Sequence, residues 1–147
     1  MDTKLKIKPA SEQKEQMALI KWAKLKAIPL VHIPNEGPRL AHYGANLVKM
    51  GLTKGFPDLF MPEARGGYFG MFIEMKQKRS YKNHETLKES WIQQEKWINL
   101  LTIQGYYAQI TFGWQDASEL ITMYRSFPKT EFSPIKTIIS NIKENYD

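Results

Sequence analysis

Apolar positions fall in short blocks whose period switches between helical and extended. Ser11, Glu12 and Glu15 precede Met17, Leu19, Ile20, Trp22, Ala23 and Leu25, which predicts a helix over about 11–26 with Ser11 as its cap. Ile28 to Ile33, bracketed by Pro29 and Pro34, reads as a short strand, and Asn35-Glu36-Gly37-Pro38 as a turn. Arg39 to Met50 predicts a helix stopped by Gly51. Pro57 to Met61 predicts a strand after a glycine turn at Gly55, with a loop from Pro62 to Gly67. Tyr68 to Lys76 predicts a second strand with Met71, Ile73 and Met75 on one face and Phe72, Glu74 and Lys76 on the other. After a polar, mostly basic loop at 77–87, Lys88 to Gln104 reads as a helix ended by Gly105. Tyr106 to Phe112 reads as a strand, Asp116 to Ser126 as a helix and Pro128 to Pro134 as a linker. Ile135, Ile138, Ile139 and Ile142 form the apolar stripe of a last helix at 135–145. Residues 1–10 alternate Lys with apolar residues and read as a flexible basic arm. The order α-β-α-β-β-α-β-α implies a mixed sheet flanked by helices.

Composition narrows the class. With 147 residues, 42% hydrophobic and 24% charged, the chain is one folded domain and not a disordered segment. It has no cysteine, which removes disulfides, thiolate metal sites and cysteine nucleophiles. Mean hydropathy is −0.47, no apolar run has the length of a membrane span, and the first residues lack a signal-peptide stretch. A soluble, intracellular protein is expected. Lys and Arg number 21 against 15 Asp and Glu, a net charge of +6 that attracts polyanions, nucleic acid foremost.

The candidate chemistry is a carboxylate followed by Glu-x-Lys. Glu74 and Lys76 lie two apart on one strand and so share a face. If the strands at 57–61 and 68–76 form a hairpin, Asp58 converges on Glu74. Two hard oxygen ligands suit Mg²⁺, with Lys76 placed to hold a phosphate or a water. The plainer reading makes Phe72, Glu74 and Lys76 the half-solvated face of an edge strand and Asp58 a turn residue. Glu12 points along the apolar stripe of the first helix, with Glu15 on its Trp22 side; each is a candidate for the site or a complement to the helix dipole. Gln94 falls inside the stripe of Trp91, Trp97, Ile98 and Leu101, where its amide needs partners: a water, Lys76, a phosphate or a backbone group. Arg39, Lys49 and Lys54 precede Asp58, and Lys78, Arg79 and Lys82 follow Glu74, either as a grip on a phosphate backbone or as solvated surface. The three histidines show no ligand spacing; His42 doubles as a phosphate-contact candidate. Trp22, Trp91 and Trp97 read as core, and Trp114 as core or stacking platform. Phosphate-loop, nucleophile-elbow and His-Glu-x-x-His motifs are absent.

Taken together, Gly55-Phe56-Pro57-Asp58-Leu59, Phe72-Ile73-Glu74-Met75-Lys76, Gln94-Glu95-Lys96-Trp97 and Gly105-Tyr106 resemble the VRR-NUC (virus-type replication-repair nuclease) domain of the PD-(D/E)XK nuclease superfamily. Ser11-Glu12, Gln16 and Trp22 are similar to its opening helix and Ile33-Pro34-Asn35 to the segment after it. The resemblance spans about residues 11–126, leaving 127–147 as a helical tail. It implies an α/β, restriction-endonuclease-like PD-(D/E)XK core of αβββαβ type, and Mg²⁺- or Mn²⁺-dependent DNA cleavage. Asp58, Glu74 and the Met75 carbonyl resemble the metal ligands, Lys76 the catalytic lysine, Gln94 the family glutamine and Glu12 the glutamate of the first helix, with Glu15 its rival. The 77–87 loop looks longer than usual. Small members of this kind imply a homodimer acting on branched DNA such as four-way (Holliday) junctions, in DNA repair in the cytoplasm of bacterial or phage-infected cells. The alternatives are a flap or nicking nuclease and a non-catalytic basic DNA-binding module.

Overall fold

The computed structural model describes residues 11–34, 41–77 and 89–133, with backbone only at 41–43. The expected basic arm at 1–10, the turn at 35–38, most of the 77–87 loop and the helix at 135–145 lie outside the described residues.

Eight elements follow the predicted order: α1 (Glu12–Leu25), β1 (Val31–His32), α2 (Ala41–Lys49), β2 (Leu59–Met61), β3 (Met71–Lys76), α3 (Glu89–Ile103), β4 (Tyr107–Phe112) and α4 (Trp114–Arg125). Ser11 caps α1 by accepting the Lys14 N–H at 3.3 Å, with Glu12 and Glu15 in the first turn. Gly105, at φ 95°, ends α3 and turns the chain into β4.

The sheet order is β1-β2-β3-β4. The first three strands are antiparallel, and β4 joins β3 in parallel through the α3 crossover, with Met71 opposite Tyr107 and Lys76 opposite Phe112. β3 is therefore an inner strand, and all six of its residues are buried. This removes the edge-strand reading of Glu74 and Lys76. The alternation along β3 separates two layers. Met71, Ile73 and Met75 pack with Leu19 and Ala23 of α1 and with Ala117, Ile121 and Tyr124 of α4. Phe72 packs with Leu101 of α3 and Ala108 of β4, joined by Phe56, Phe60 and Tyr106. Each fully buried Met or Ile contributes about 1.5–3 kcal/mol, and these residues fix β3 in place.

Several boundaries depart from expectation: the strands predicted at 28–33, 57–61 and 68–76 are shorter, at Val31–His32, Leu59–Met61 and Met71–Lys76. α4 begins at Trp114, two residues earlier than predicted, because its start is capped from far away in the chain. Residues 128–130, expected to be a linker, are fastened to the 62–67 loop. Gly66 N–H donates to Pro128 O at 2.8 Å and Thr130 N–H to Ala64 O at 3.0 Å, and Arg65 bridges Lys129.

Candidate active site

Asp58 stands one residue before β2, and the antiparallel register (Leu59 opposite Ile73) brings it against the Glu74–Met75 peptide. Its Oδ2 accepts the Met75 N–H at 3.4 Å, and its carbonyl accepts the Ile33 N–H at 2.6 Å. Asp58 is 7% exposed and Glu74 1%. Lys76, two residues on and on the same face, donates from Nζ to Glu74 Oε1 at 2.7 Å. The hairpin thus sets the Asp58 carboxylate at the Met75 amide, next in the chain to the Glu74–Lys76 pair.

Gln94 reaches the same layer from α3. Gly55, at φ 83°, explains how. A Cβ there would lie 2.8 Å from Gln93 Cβ and 3.1 Å from Gln94 N, so the turn leading to Asp58 rests directly on the α3 backbone. Only glycine meets both the left-handed backbone and that approach. Gln94 is 2% exposed, and among the described residues its Oε1 has no hydrogen-bond partner. Burying an amide oxygen in that state costs about 1–3 kcal/mol. Thr111 Oγ1 is a second such atom, but it lies on β4 opposite Met75, on the other face of the sheet.

The two first-turn acids of α1 separate. Glu15 Oε2 accepts the Trp114 N–H at 2.8 Å, so this carboxylate caps α4, whose own N-cap residue, Gly113, has no side chain to do so. Glu12 is half-buried at the start of α1, a helix whose buried residues pack on the opposite layer from Glu74. Among the described residues no three His, Asp or Glu side chains gather as a metal-ligand group.

Two neighbours escaped the sequence reading. Trp91, assigned to the core, is half-buried and holds its ring 5.8 Å from Lys76 Nζ, within cation–π range. Its signal was its place three residues before Gln94, one turn away on the same helix. His32, taken as incidental, brings its Nδ1 to 3.1 Å from the Asp58 carbonyl; an exposed His on a two-residue strand carries no pattern that foretells this. Of the predicted basic grip, Lys49 and Lys54 are exposed, while Arg39, Lys78, Arg79 and Lys82 lie outside the described residues.

The donor set suits a hard cation. Asp58 and Glu74 bring two carboxylates into a buried layer, and among the described residues the buried Gln94 amide oxygen has no donor. Carboxylate and amide oxygens are the hard ligands that Mg²⁺ or Mn²⁺ takes. Among the described residues no helix is long and apolar enough to cross a membrane.

No family model and no curated protein sequence matches the chain. A solved structure described as a VRR_NUC domain protein superposes with a TM-score of 0.68 at 23% identity, over 85% of this chain and 96% of its own. The expected mixed sheet with flanking helices is thus the one observed, and the chain has the fold of that VRR_NUC domain protein.

Proposed function

We propose that the chain is a divalent-metal-dependent DNA endonuclease with Asp58, Glu74 and Lys76 at its catalytic centre. The observation that carries this reading is the buried trio itself, two carboxylates and a lysine on one hairpin, with the buried Gln94 on the neighbouring helix, within a VRR_NUC-like fold. Asp58, Glu74 and the Met75 carbonyl would hold Mg²⁺ or Mn²⁺, which supplies Lewis-acid polarisation of the phosphodiester and lowers the pKa of the attacking water.

The protein's own groups do the positioning. Lys76, kept in place by Glu74 and the Trp91 ring, steadies the attacking water or the charge that develops on the phosphate oxygens. The Gln94 amide orients water at the site, and Glu12 acts on it through water. Lys49 and Lys54, together with Arg39, Lys78, Arg79 and Lys82, hold the backbone of the strand. The proposed substrate is branched DNA, the four-way junction first, cut by a homodimer whose two-fold axis matches a symmetric junction.

The test is incubation with four-way junction, flap, single-stranded and linear duplex DNA under Mg²⁺, Mn²⁺ or chelator. Metal-dependent product is expected, most of it from the junction. Asp58→Ala, Glu74→Ala and Lys76→Ala each abolish it while DNA retention survives. Near-wild-type cutting by Glu74→Ala refutes the assignment. Salt-dependent retention without product under any metal makes the protein a binding module. Sedimentation at micromolar protein as a monomer alone removes the homodimer.

A further inference from the structure

We propose that an aromatic-walled cavity beside Asp58 receives one unstacked nucleobase of the bound strand, so that the protein prefers DNA with an unpaired or distorted nucleotide next to the phosphate at its site. This deepens the nuclease reading and rests on it.

The cavity, of about 500 Å³, lies between the end of α2, the turn that follows it and α3; Ile33, Leu47, Leu52, Thr53, Phe56 and Trp97 contribute to its walls. That volume is within the range of small-ligand sites, about 300–1,000 Å³. Three of its walls are tied to the candidate site. Phe56 is two residues before Asp58, Trp97 is three residues after the buried Gln94, and the Ile33 N–H donates to Asp58 O at 2.6 Å. Two extended residues or one helical turn span about 5–7 Å. Stacked nucleotides rise about 3.4 Å each along a strand, so the cavity and the carboxylates are one or two nucleotides apart.

The lining chooses the occupant. Phe56 and Trp97 meet edge to face, ring centroids 5.0 Å apart, and offer aromatic surface to the cavity. Among the described residues no lining residue is charged. Lys49 and Lys54, both exposed, flank the 50–53 segment and give the opening a cationic rim. An apolar aromatic interior with a cationic rim complements a base entering between two phosphates, and single strands are held by this combination. An acidic rim, or none, would be expected of a site for a basic or purely apolar partner.

The test measures binding of the full-length protein to labelled oligonucleotides in chelator, where cleavage plays no part. A single strand, the same strand with one abasic position moved stepwise along it, and a fully paired duplex are compared. One register of the abasic series is expected to bind about 5- to 150-fold more weakly, the range of one base–aromatic stack. Trp97→Ala should weaken the intact single strand by the same factor, leave duplex binding within about twofold and erase the abasic effect. Leu52→Trp, which fills the cavity without emptying the wall, should do the same if Trp97→Ala fails to fold. Equal binding across the abasic series overturns the proposal. So does equal loss on single strand and duplex, or a change in sedimentation on Leu52→Trp, which would show a second copy in the cavity. Failure of the nuclease reading is distinct from all of these: no product from any DNA under metal, whatever the binding pattern.

Discussion

Two of the chain's Glu-x-basic triplets, Glu63-Ala64-Arg65 and Glu74-Met75-Lys76, have opposite fates. Glu63 sits in a loop, its side chain 21% exposed, and is shared by two guanidinium groups. Arg65 donates to Oε2 at 3.3 Å, and Arg125 donates to Oε2 at 3.0 Å and Oε1 at 3.2 Å. The rest of the cluster is also spoken for: Arg65 donates to the carbonyls of Arg125 and Phe127, and the Tyr124 hydroxyl donates to Glu63 O at 2.6 Å. This cluster closes the end of α4 and fastens the chain beyond it. Glu74, with a side chain 1% exposed, takes Lys76 Nζ at 2.7 Å and has the Asp58 carboxylate nearby, at the Met75 N–H. The spacing is the same, but one glutamate is fastened at the surface between two guanidinium groups and the other is buried on an inner strand beside a second carboxylate. Burial and neighbours set the two apart.

The largest expected contrast comes from Glu74→Gln. It should lower cleavage at least about a thousandfold, the scale of removing a group essential to transition-state stabilisation. Its melting temperature without metal should also fall, because the buried Lys76 ammonium loses its carboxylate partner. Gly55→Ala comes next: a Cβ forced into α3 at a left-handed backbone should cost about 1–3 kcal/mol and reduce cleavage by displacing Asp58, read together by thermal melting and product formation. Glu63→Ala should act on stability alone, losing about 1–3 kcal/mol, or roughly 2–12 °C in Tm for a domain this size, with cleavage per folded molecule retained. Glu15→Gln should weaken only the α4 cap, by about 0.3–1 kcal/mol, and leave cleavage intact; loss of cleavage there would return Glu15 to the site.

The smallest effect is at alkaline pH. Burial first, and the Tyr68 hydroxyl second, raise the Tyr107 phenol above its ordinary 10.0; burial also dominates the rise at Tyr124. A folded-state pKa raised above the unfolded value means stability is fully present below about pH 10 and declines as pH rises through the folded value. A pH series of melting temperatures should show that decline, smaller in Tyr107→Phe.

Much of the fold was legible because local signals and tertiary need agreed. Ser11 with Glu12 and Glu15 marked the start of α1, glycines marked the ends of α2 and α3, and period-two alternation along 71–76 assigned each side chain to its correct layer. What the alternation could not show was that both layers would be covered: Glu74 and Lys76 read like a solvated face, and only the α3 crossover and the pairing with β4 make them interior. The start of α4 was hidden for a similar reason. Gly113 offers no cap, and the carboxylate that replaces it is Glu15, 99 residues away in the chain. The Arg65 clamp on 128–130 is equally non-local. At the site, the Asp58–Glu74 convergence followed from the hairpin register. Trp91 and His32 act through packing that no short motif records.

The most direct measurement is calorimetric titration of Mn²⁺ into the wild-type protein and into Asp58→Asn and Glu74→Gln, with melting temperature followed in parallel. The account predicts saturable binding to the wild type that raises its melting temperature, by about 2.7 kcal/mol of added stability at a hundredfold excess over Kd, and loss of both effects in each variant. Heat and thermal shift that are the same in all three proteins, or absent from the wild type, would contradict it.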